Sequence, residues 1–513
     1  MKGKFSIVLH THLPFCLGKG RWPFGEEWLF ETVFDTYLPL LKVLNELVEE
    51  GKRFKIVVGL TPVLLEQLKS YYFKEKFLEY LDQKEELGKK DLVHFKGNPT
   101  YTKLTEYYLR EIEDIRNLFV SLNEDIVSGF ISLERKGFVE LITSAATHAY
   151  LPLLKNDLSR EVEVKSGVII HKNWTGTSPS GFWLPECGYK PGVEEILKEN
   201  GIKYFILDAH SLVEGREVIM EYGRRLPKLK IPSESKTFLP YEIKDDLYVF
   251  LRNPSTSEQV WSRDFGYPGD GVYREFHKKF EVSGFQYWKI TDKNVPLGEK
   301  EIYNVDEARE KAKVHAHHFV SLLKEKLSSF YRESGIEGII LSAYDTELFG
   351  HWWYEGPLWL KEVLSLISED KDIDSVSPSD FIKTGVRRKG LFRESSWGLG
   401  GFHYTWYNSE TSWMWDMIHE DEDEFKSLFH KLSGKEGSLL LKEFLLELSS
   451  DWPFLVTTSQ AKDYGKERFL EHRRKFLNIV EFLKGTKRET IDLDKIETED
   501  FIFKDLMIED LRR

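Results

Sequence analysis

Two acidic residues far apart in the chain stand among aromatic side chains. Glu186 lies in Trp183-Leu184-Pro185-Glu186-Cys187-Gly188-Tyr189, just past a short apolar run. Asp345 lies in Tyr344-Asp345-Thr346-Glu347-Leu348-Phe349-Gly350-His351-Trp352-Trp353. Aromatic walls around an acid suit a sugar, because rings stack on its apolar faces while the acid reaches its oxygens. Glycoside chemistry needs two carboxyl groups flanking one bond, and a retaining route needs one of them ionised and the other protonated. Their surroundings must therefore push the two pKa values apart. Residue types alone do not say which acid does which job. The plainer alternatives are a helix cap for Glu186 and a turn residue for Asp345, although Trp-x-Pro-Glu followed by an aromatic is not typical of a cap.

His10-Thr11-His12 follows the first strand-like run, Phe5 to Leu9. Residues two apart in a strand share a face, so the pair could donate to sugar hydroxyls, ligate a metal as in several barrel hydrolases, or simply pack. His315-Ala316-His317-His318 lies in a charged helical pattern and reads as a helix face. The 14 tryptophans are clustered: Trp22 and Trp28 near the first strand, Trp352 and Trp353 after Asp345, and Trp397, Trp406, Trp413 and Trp415 late in the chain. Such groups, mixed with glycine and polar residues, are hard to bury entirely, and at least two are expected in a groove.

The elements that must position these residues are visible as a rhythm. Short apolar runs recur and end in polar residues: Phe54 to Leu60, Val139 to Thr143 before His148, Gly181 to Leu184 before Glu186, Tyr204 to Leu207 before Asp208 and His210, Leu247 to Leu251 before Arg252 and Asn253, and Gly338 to Leu341 before Asp345. Helical segments intervene, for example Gly192 to Asn200 stopped by Gly201. Nearly all-apolar strands alternating with helices predict a buried parallel sheet. Polar residues gathered after the strands predict a site at the C-terminal face of a barrel. Residues 65–136 break the rhythm and read as an inserted helical subdomain within a catalytic domain over 1–383. The 384–390 stretch reads as a linker, and 384–513 as a helical domain contributing to the groove.

Composition narrows the partners. A net charge of -13, from 72 basic and 85 acidic residues, disfavours nucleic acid and anionic membranes and favours an uncharged substrate. No run approaches the roughly 20 apolar residues of a membrane span, and the N-terminal run is too short for a signal peptide, so a cytoplasmic protein is expected. The two cysteines, Cys16 and Cys187, read as small buried hydrophobes rather than a disulfide. Abundant Lys and Glu with scarce Met hint at a thermophilic source.

Taken together, these motifs resemble glycoside hydrolase family 57, and within it the 1,4-α-glucan branching type. The likeness runs along essentially the whole chain, through His10 to Phe15 with Arg21 to Trp28, Glu140 to His148, Trp183 to Tyr189, Tyr344 to Trp353, and Ser396 to Trp406. Gln259 to Arg263, Gly266 to Asp270, and Ser450 to Phe454 are similar to branching enzymes in particular. The resemblance implies an α/β fold: an incomplete (β/α)7 barrel with an inserted helical subdomain and a C-terminal all-helical domain. It implies Glu186 as nucleophile and Asp345 as acid/base, with His10, His12, Trp22, His148, Trp261, Arg263, His351, Trp352, Trp397, Trp406 and Asp451 about an α-1,4-glucan. It also implies no metal or organic cofactor, and a monomer or small homo-oligomer is expected. Two residues depart from the pattern: Thr11, where Ala is common, and Asn253, where Asp is frequent. Over Val213 to Tyr241 branching enzymes carry a loop whose tyrosine shields the intermediate; this chain offers Tyr222 and Tyr241. An α-amylase or 4-α-glucanotransferase on the same scaffold, a metal-dependent deacetylase built on His10 and His12, and a non-catalytic glucan binder are the rival readings.

Overall fold

A computed structural model of the chain describes residues 3–21, 23–214, 216–221, 224–262, 265–486 and 491–512, with backbone alone over 216–221 and 224–226. Its centre is a curled sheet of parallel strands: β1 (Gly3–Thr11), β2 (Ile56–Leu60), β3 (Val139–Ser144), β4 (Gly181–Trp183), β5 (Tyr204–Asp208), β6 (Leu247–Arg252) and β7 (Ile339–Asp345). They pair in the order β7-β1-β2-β3-β4-β5-β6. The strands are buried almost end to end because helices cover their outer faces, which is why they read as unbroken apolar runs.

This is the incomplete (β/α)7 barrel anticipated from the sequence, and the seam between β6 and β7 shows how it stops short of closure. An antiparallel edge strand, Tyr241–Lys244, takes the N-terminal half of β6. Beyond it the seam is held by single bonds: Ile339 N–H to Phe238 O (2.8 Å), Asn253 N–H to Leu341 O (2.8 Å), and Arg252 Nε–H to Ala343 O (2.8 Å). Asn253 is fully buried; its amide donates to Glu234 and Thr237, while its Oδ1 accepts from Thr256 N–H and caps helix Pro254–Trp261. An amide both donates and accepts here, so the departure from aspartate has a structural use.

The long helix Val305–Ser334 covers the back of β1 and β7. Its buried residues Ala308, Ala312, Ala316, Phe319, Leu323, Leu327 and Phe330 recur every three or four positions, so one stripe meets the sheet. Asn304 caps its start, and Gly335, at φ 70°, ends it. The histidine run rides on this helix, as expected: Tyr273 Oη lies 2.7 Å from His315 Nδ1 and Tyr267 Oη 2.7 Å from His318 Nδ1. Between β2 and β3 the chain runs through helices Pro62–Lys69, Tyr71–His94, Pro99–Ser121 and Ile126–Arg135. No described helix is long and apolar enough to cross a membrane. Both cysteines are free and buried.

The 384–390 stretch is not a free linker. Arg388 exchanges backbone bonds with Pro240 and Glu242, Leu391 O accepts from Val213, and Ser395 pairs with Tyr189. This lacing draws residues 388–396 along the edge of the barrel and delivers Trp397 to its mouth. Helices Ser412–Leu428, Gly434–Glu447, Asp451–Thr458 and Lys462–Leu483 follow. A buried ionic cluster fastens them: Asp500, fully buried, meets Lys475 and also Lys19 (2.7 Å), which lies in the loop after β1. Removing Asp500 leaves Lys19 and Lys475, two nearly buried cations, to share Glu471, and breaking a buried ionic cluster is strongly destabilising. Asp500→Ala should therefore lower unfolding stability by about 3–5 kcal/mol in chemical denaturation. A variant with the wild-type midpoint and slope would show that the cluster contributes nothing.

Candidate active site

Each strand end contributes a side chain to one cavity. Glu186 sits in the turn after β4 with φ 61° and ψ 24°, and Cys187 follows at φ 50°. Left-handed backbone at a non-glycine residue costs on the order of 1–3 kcal/mol and persists only where the surroundings enforce it. Here Cys187 N–H donates to Leu184 O (2.9 Å), Gly188 N–H to Pro185 O (2.8 Å), and Trp397 N–H to Glu186 O (3.0 Å). Trp397 also donates its indole Nε1–H to Glu186 Oε2 at 2.6 Å. One tryptophan thus fixes both the main chain and the carboxylate of Glu186.

The Trp397 loop is itself anchored to strand ends. His210 Nε2 contacts Ser396 O (2.6 Å), its Nδ1 pairs with Asp208 (3.0 Å), and Arg252 Nη1 donates to the other Asp208 oxygen (3.2 Å). The Arg252 guanidinium lies over the Trp397 ring at 5.3 Å. His210 and Arg252 hold the Asp208 carboxyl far below the usual range, and Asp208 in turn raises His210. Gly401, at φ 83°, passes so close to His210 that an added Cβ would lie 2.8 Å from the ring, so the loop needs glycine there.

Beside Glu186, whose Oε1 lies 3.9 Å from His148 Nδ1, three imidazoles stack. The His12 and His148 rings are 3.8 Å apart, His10 and His148 4.9 Å, and His10 lies 4.6 Å from Trp183. Their edges are tied together: His10 Nε2 to His148 Nε2 (2.9 Å), His148 Nδ1 to Ser450 Oγ (2.9 Å), His12 Nδ1 to Thr61 Oγ1 (3.1 Å), and His12 Nε2 to Asp451 Oδ2 (2.9 Å). Burial pushes His10 and His148 well below the ordinary histidine range, so both are neutral near pH 7. Nitrogen and oxygen atoms of His12, His148 and Asp451 converge within 4.8 Å and could hold a cation. The buried trio Glu443, His472 and Asp500 has the same spacing, but Lys19 and Lys475 already supply positive charge to Asp500.

Asp345 ends β7 opposite His10 of β1 in the strand register. Burial raises its carboxyl to about 6, against the opposing pull of Arg252 and His12. Glu186 is raised to about 8 by burial and then by the charge of Asp345, with Trp397 working the other way. Glu347 is likewise raised to about 8 by burial and Asp345; its Oε1 accepts from Tyr37 Oη–H (2.5 Å) and His12 N–H (3.3 Å). Three buried carboxyls facing one space do not all ionise readily near neutrality, and they titrate as coupled groups. Of the two, Glu186 is raised the further, because the charge of Asp345 adds to its burial while Arg252 and His12 oppose the burial of Asp345.

The cavity encloses about 640 Å³, ample for several sugar rings. Of the residues singled out by sequence, it gathers His10, His12, His148, Glu186, Trp261, Asp345, Trp352, Trp397, Trp406 and Asp451. Trp406 stacks on Tyr150 at 4.3 Å and is almost wholly buried. His351 belongs elsewhere, contrary to expectation. Gly350, at φ 124°, turns the chain so that Trp352 faces the cavity while His351 donates its N–H to Thr36 (3.0 Å) and its ring meets Asp35 (3.3 Å) in a separate small cavity. Trp22, Arg263 and Tyr222 lie outside the described residues. Tyr241 is buried in the edge strand with its hydroxyl on Lys236 O, remote from the cavity lining. Sequence reasoning missed Arg252 and Glu347 as lining residues. Their signal was present, one at a strand end and one two residues past Asp345.

The sequence profile of glycosyl hydrolase family 57 matches residues 6–393, and that of the 1,4-alpha-glucan branching enzyme C-terminal domain matches residues 418–510. A 1,4-alpha-glucan branching enzyme of Thermococcus kodakarensis is 39% identical over 99% of this chain and 78% of its own length. A probable 1,4-alpha-glucan branching enzyme of Mycobacterium tuberculosis is 31% identical over 95% of this chain and 94% of its own. Among solved structures, the Thermococcus family 57 branching enzyme superposes with a TM-score of 0.92 at 38% identity, covering 100% of this chain and 96% of that one. The alpha-amylase AmyC of Thermotoga maritima reaches 0.87 at 30% identity, covering 100% and 99%. The strand-end carboxyls, the barrel that carries them and these matches agree, and the chain belongs to glycosyl hydrolase family 57.

Proposed function

We propose that this protein is a 1,4-α-glucan branching enzyme working by double displacement, with Glu186 as nucleophile and Asp345 as acid/base. The observation that carries the reading is the convergence of these two carboxyls, from the ends of β4 and β7, in one aromatic-walled cavity. The α-1,4-glucan lies against Trp261, Trp352 and Trp397, with Trp406 packed on Tyr150 behind them. Glu186 attacks the anomeric carbon while Asp345 protonates the departing oxygen. Asp345 then deprotonates the 6-hydroxyl of a second glucan, which displaces Glu186 and leaves an α-1,6 branch.

The proton must start on Asp345, although burial and the charge of Asp345 raise the Glu186 carboxyl further. Substrate reverses that preference by a simple route. A glycosidic oxygen accepts a hydrogen bond only from a protonated Asp345, while the Trp397 indole N–H favours the Glu186 anion. The shared proton therefore moves to Asp345 when the sugar arrives. The likeness to an alpha-amylase structure at a TM-score of 0.87 favours one alternative, in which water takes the place of the second glucan.

Incubation with amylose separates the two outcomes. Branching lowers iodine staining with few new reducing ends and yields short chains after debranching; hydrolysis raises reducing ends in step with stain loss. Glu186→Gln should abolish either activity, and Asp345→Asn should cost about 10²–10⁴-fold in rate. Near-wild-type turnover in either variant would refute its assigned role.

Trp397→Phe keeps a ring but removes the donor to Glu186. A hydrogen bond to a charged group contributes about 1.5–3 kcal/mol, so its loss raises the Glu186 carboxyl by roughly one to two units. Since the nucleophile must be ionised, the acid limb of kcat/KM moves to higher pH. A lower rate with an unmoved acid limb would mean that Trp397 serves only as a platform.

A further inference from the structure

The catalytic cavity does not end at the Trp261–Trp352 pair. A second groove of about 540 Å³ shares Trp261, Leu348 and Trp352 with it as common walls. The two indoles meet edge to face at 5.8 Å and remain 46% and 40% exposed, an unusual state for tryptophan in a folded chain. Beyond them the walls are Phe276, His277 and the 293–297 segment. His277 keeps 74% of its side chain exposed and Leu297 is 47% exposed, so apolar and polar surfaces face the same open space. These walls are held in place: Lys300 Nζ donates to Ile290 O (2.6 Å) and Asp292 O (2.8 Å), and Thr291 N–H to Gly271 O (2.7 Å).

We infer that this groove binds α-glucan on the leaving-group side of the scission point, first the departing chain and then the acceptor. The inference rests on the roles proposed above for Glu186 and Asp345. The groove opens along the segment that carries Asp345, through Leu348 and Trp352. An acid/base must face the oxygen that bridges to the leaving group, so what lies beyond it on that side is the leaving-group half of the chain. Thr405, Phe454 and Gln460 line the catalytic cavity but not this groove, and are left for the donor half. In the second step the C1–O bond to Glu186 breaks, a C1–O6 bond forms, the acceptor's hydroxyl proton passes to Asp345, and Glu186 is returned as a carboxylate. A groove that holds the acceptor at this point raises its effective concentration against water.

α-Maltopentaosyl fluoride tests this, because its leaving group has no sugar beyond the scission point. Fluoride release reports formation of the intermediate, and a fluorescently labelled maltoheptaose reports capture by an acceptor. The doubly substituted His277→Ala, Leu297→Ala protein should need about tenfold more labelled acceptor for half-maximal transfer, the scale of one buried apolar side chain. A larger share of turnover should also end in hydrolysis. Both residues are exposed, and a circular dichroism melt matching wild type establishes that the fold is intact. Acceptor dependence equal to wild type would overturn the groove assignment alone. So would a raised KM for the fluoride with unchanged acceptor dependence, which would put the groove on the donor side. No fluoride release by the wild-type protein, with the same result for Glu186→Gln, would overturn the glycosyl-enzyme reading and the groove with it.

Discussion

The double grip of Trp397 on Glu186 is the contact on which the site depends. Glu186 occupies a backbone conformation that a non-glycine residue adopts only under constraint. The main-chain N–H of Trp397 holds the turn, and its indole holds the carboxylate. Trp397 lies more than two hundred residues further along the chain, so the active conformation of one strand end requires a late segment to be in place. The backbone lacing at Arg388, Leu391 and Ser395, together with the His210–Asp208–Arg252 chain, is what delivers it. Local strain at Glu186 is therefore supported by non-local folding.

The second constraint is electrostatic. Glu186, Asp345 and Glu347 share a cavity with two neutral imidazoles, and among the described residues Arg252 is the cation that lines it. Burial raises all three carboxyls. Carboxyls raised in this way retain a proton closer to neutral pH than free ones do. His12 joins the two halves of the molecule, because its ring reaches Thr61 from the barrel and Asp451 from the C-terminal helices. Helical domain and barrel thus share one hydrogen-bond network at the place where a sugar would bind.

Much of this was legible in the chain. Parallel strands buried on both faces have to be almost wholly apolar, so their polar ends mark the mouth of the barrel in the sequence itself. His10, His12, Glu186 and Asp345 all follow such runs. His351 was misread because it adjoins Trp352; one left-handed glycine, Gly350, sends the two neighbours to different cavities. Arg252 was visible at a strand end, but its role depends on Asp208 and the Trp397 ring, neither of which spacing could pair with it. The 384–390 stretch looked like a linker because exposed, charged residues carry no sign of the edge strand against which their backbone lies.

By itself the sequence determined the barrel class, the strand order of the candidate acids and the aromatic character of their surroundings. Those properties follow from local apolar patterning and residue type, which the chain encodes position by position. The tertiary structure decided which distant residues share a wall. It set the Trp397 grip on Glu186, the histidine stack closed by Asp451, the burial that raises the carboxyls, and the groove beyond Trp261 and Trp352. Each of these depends on burial and on contacts between segments hundreds of residues apart, and neither is a property of any local stretch of sequence.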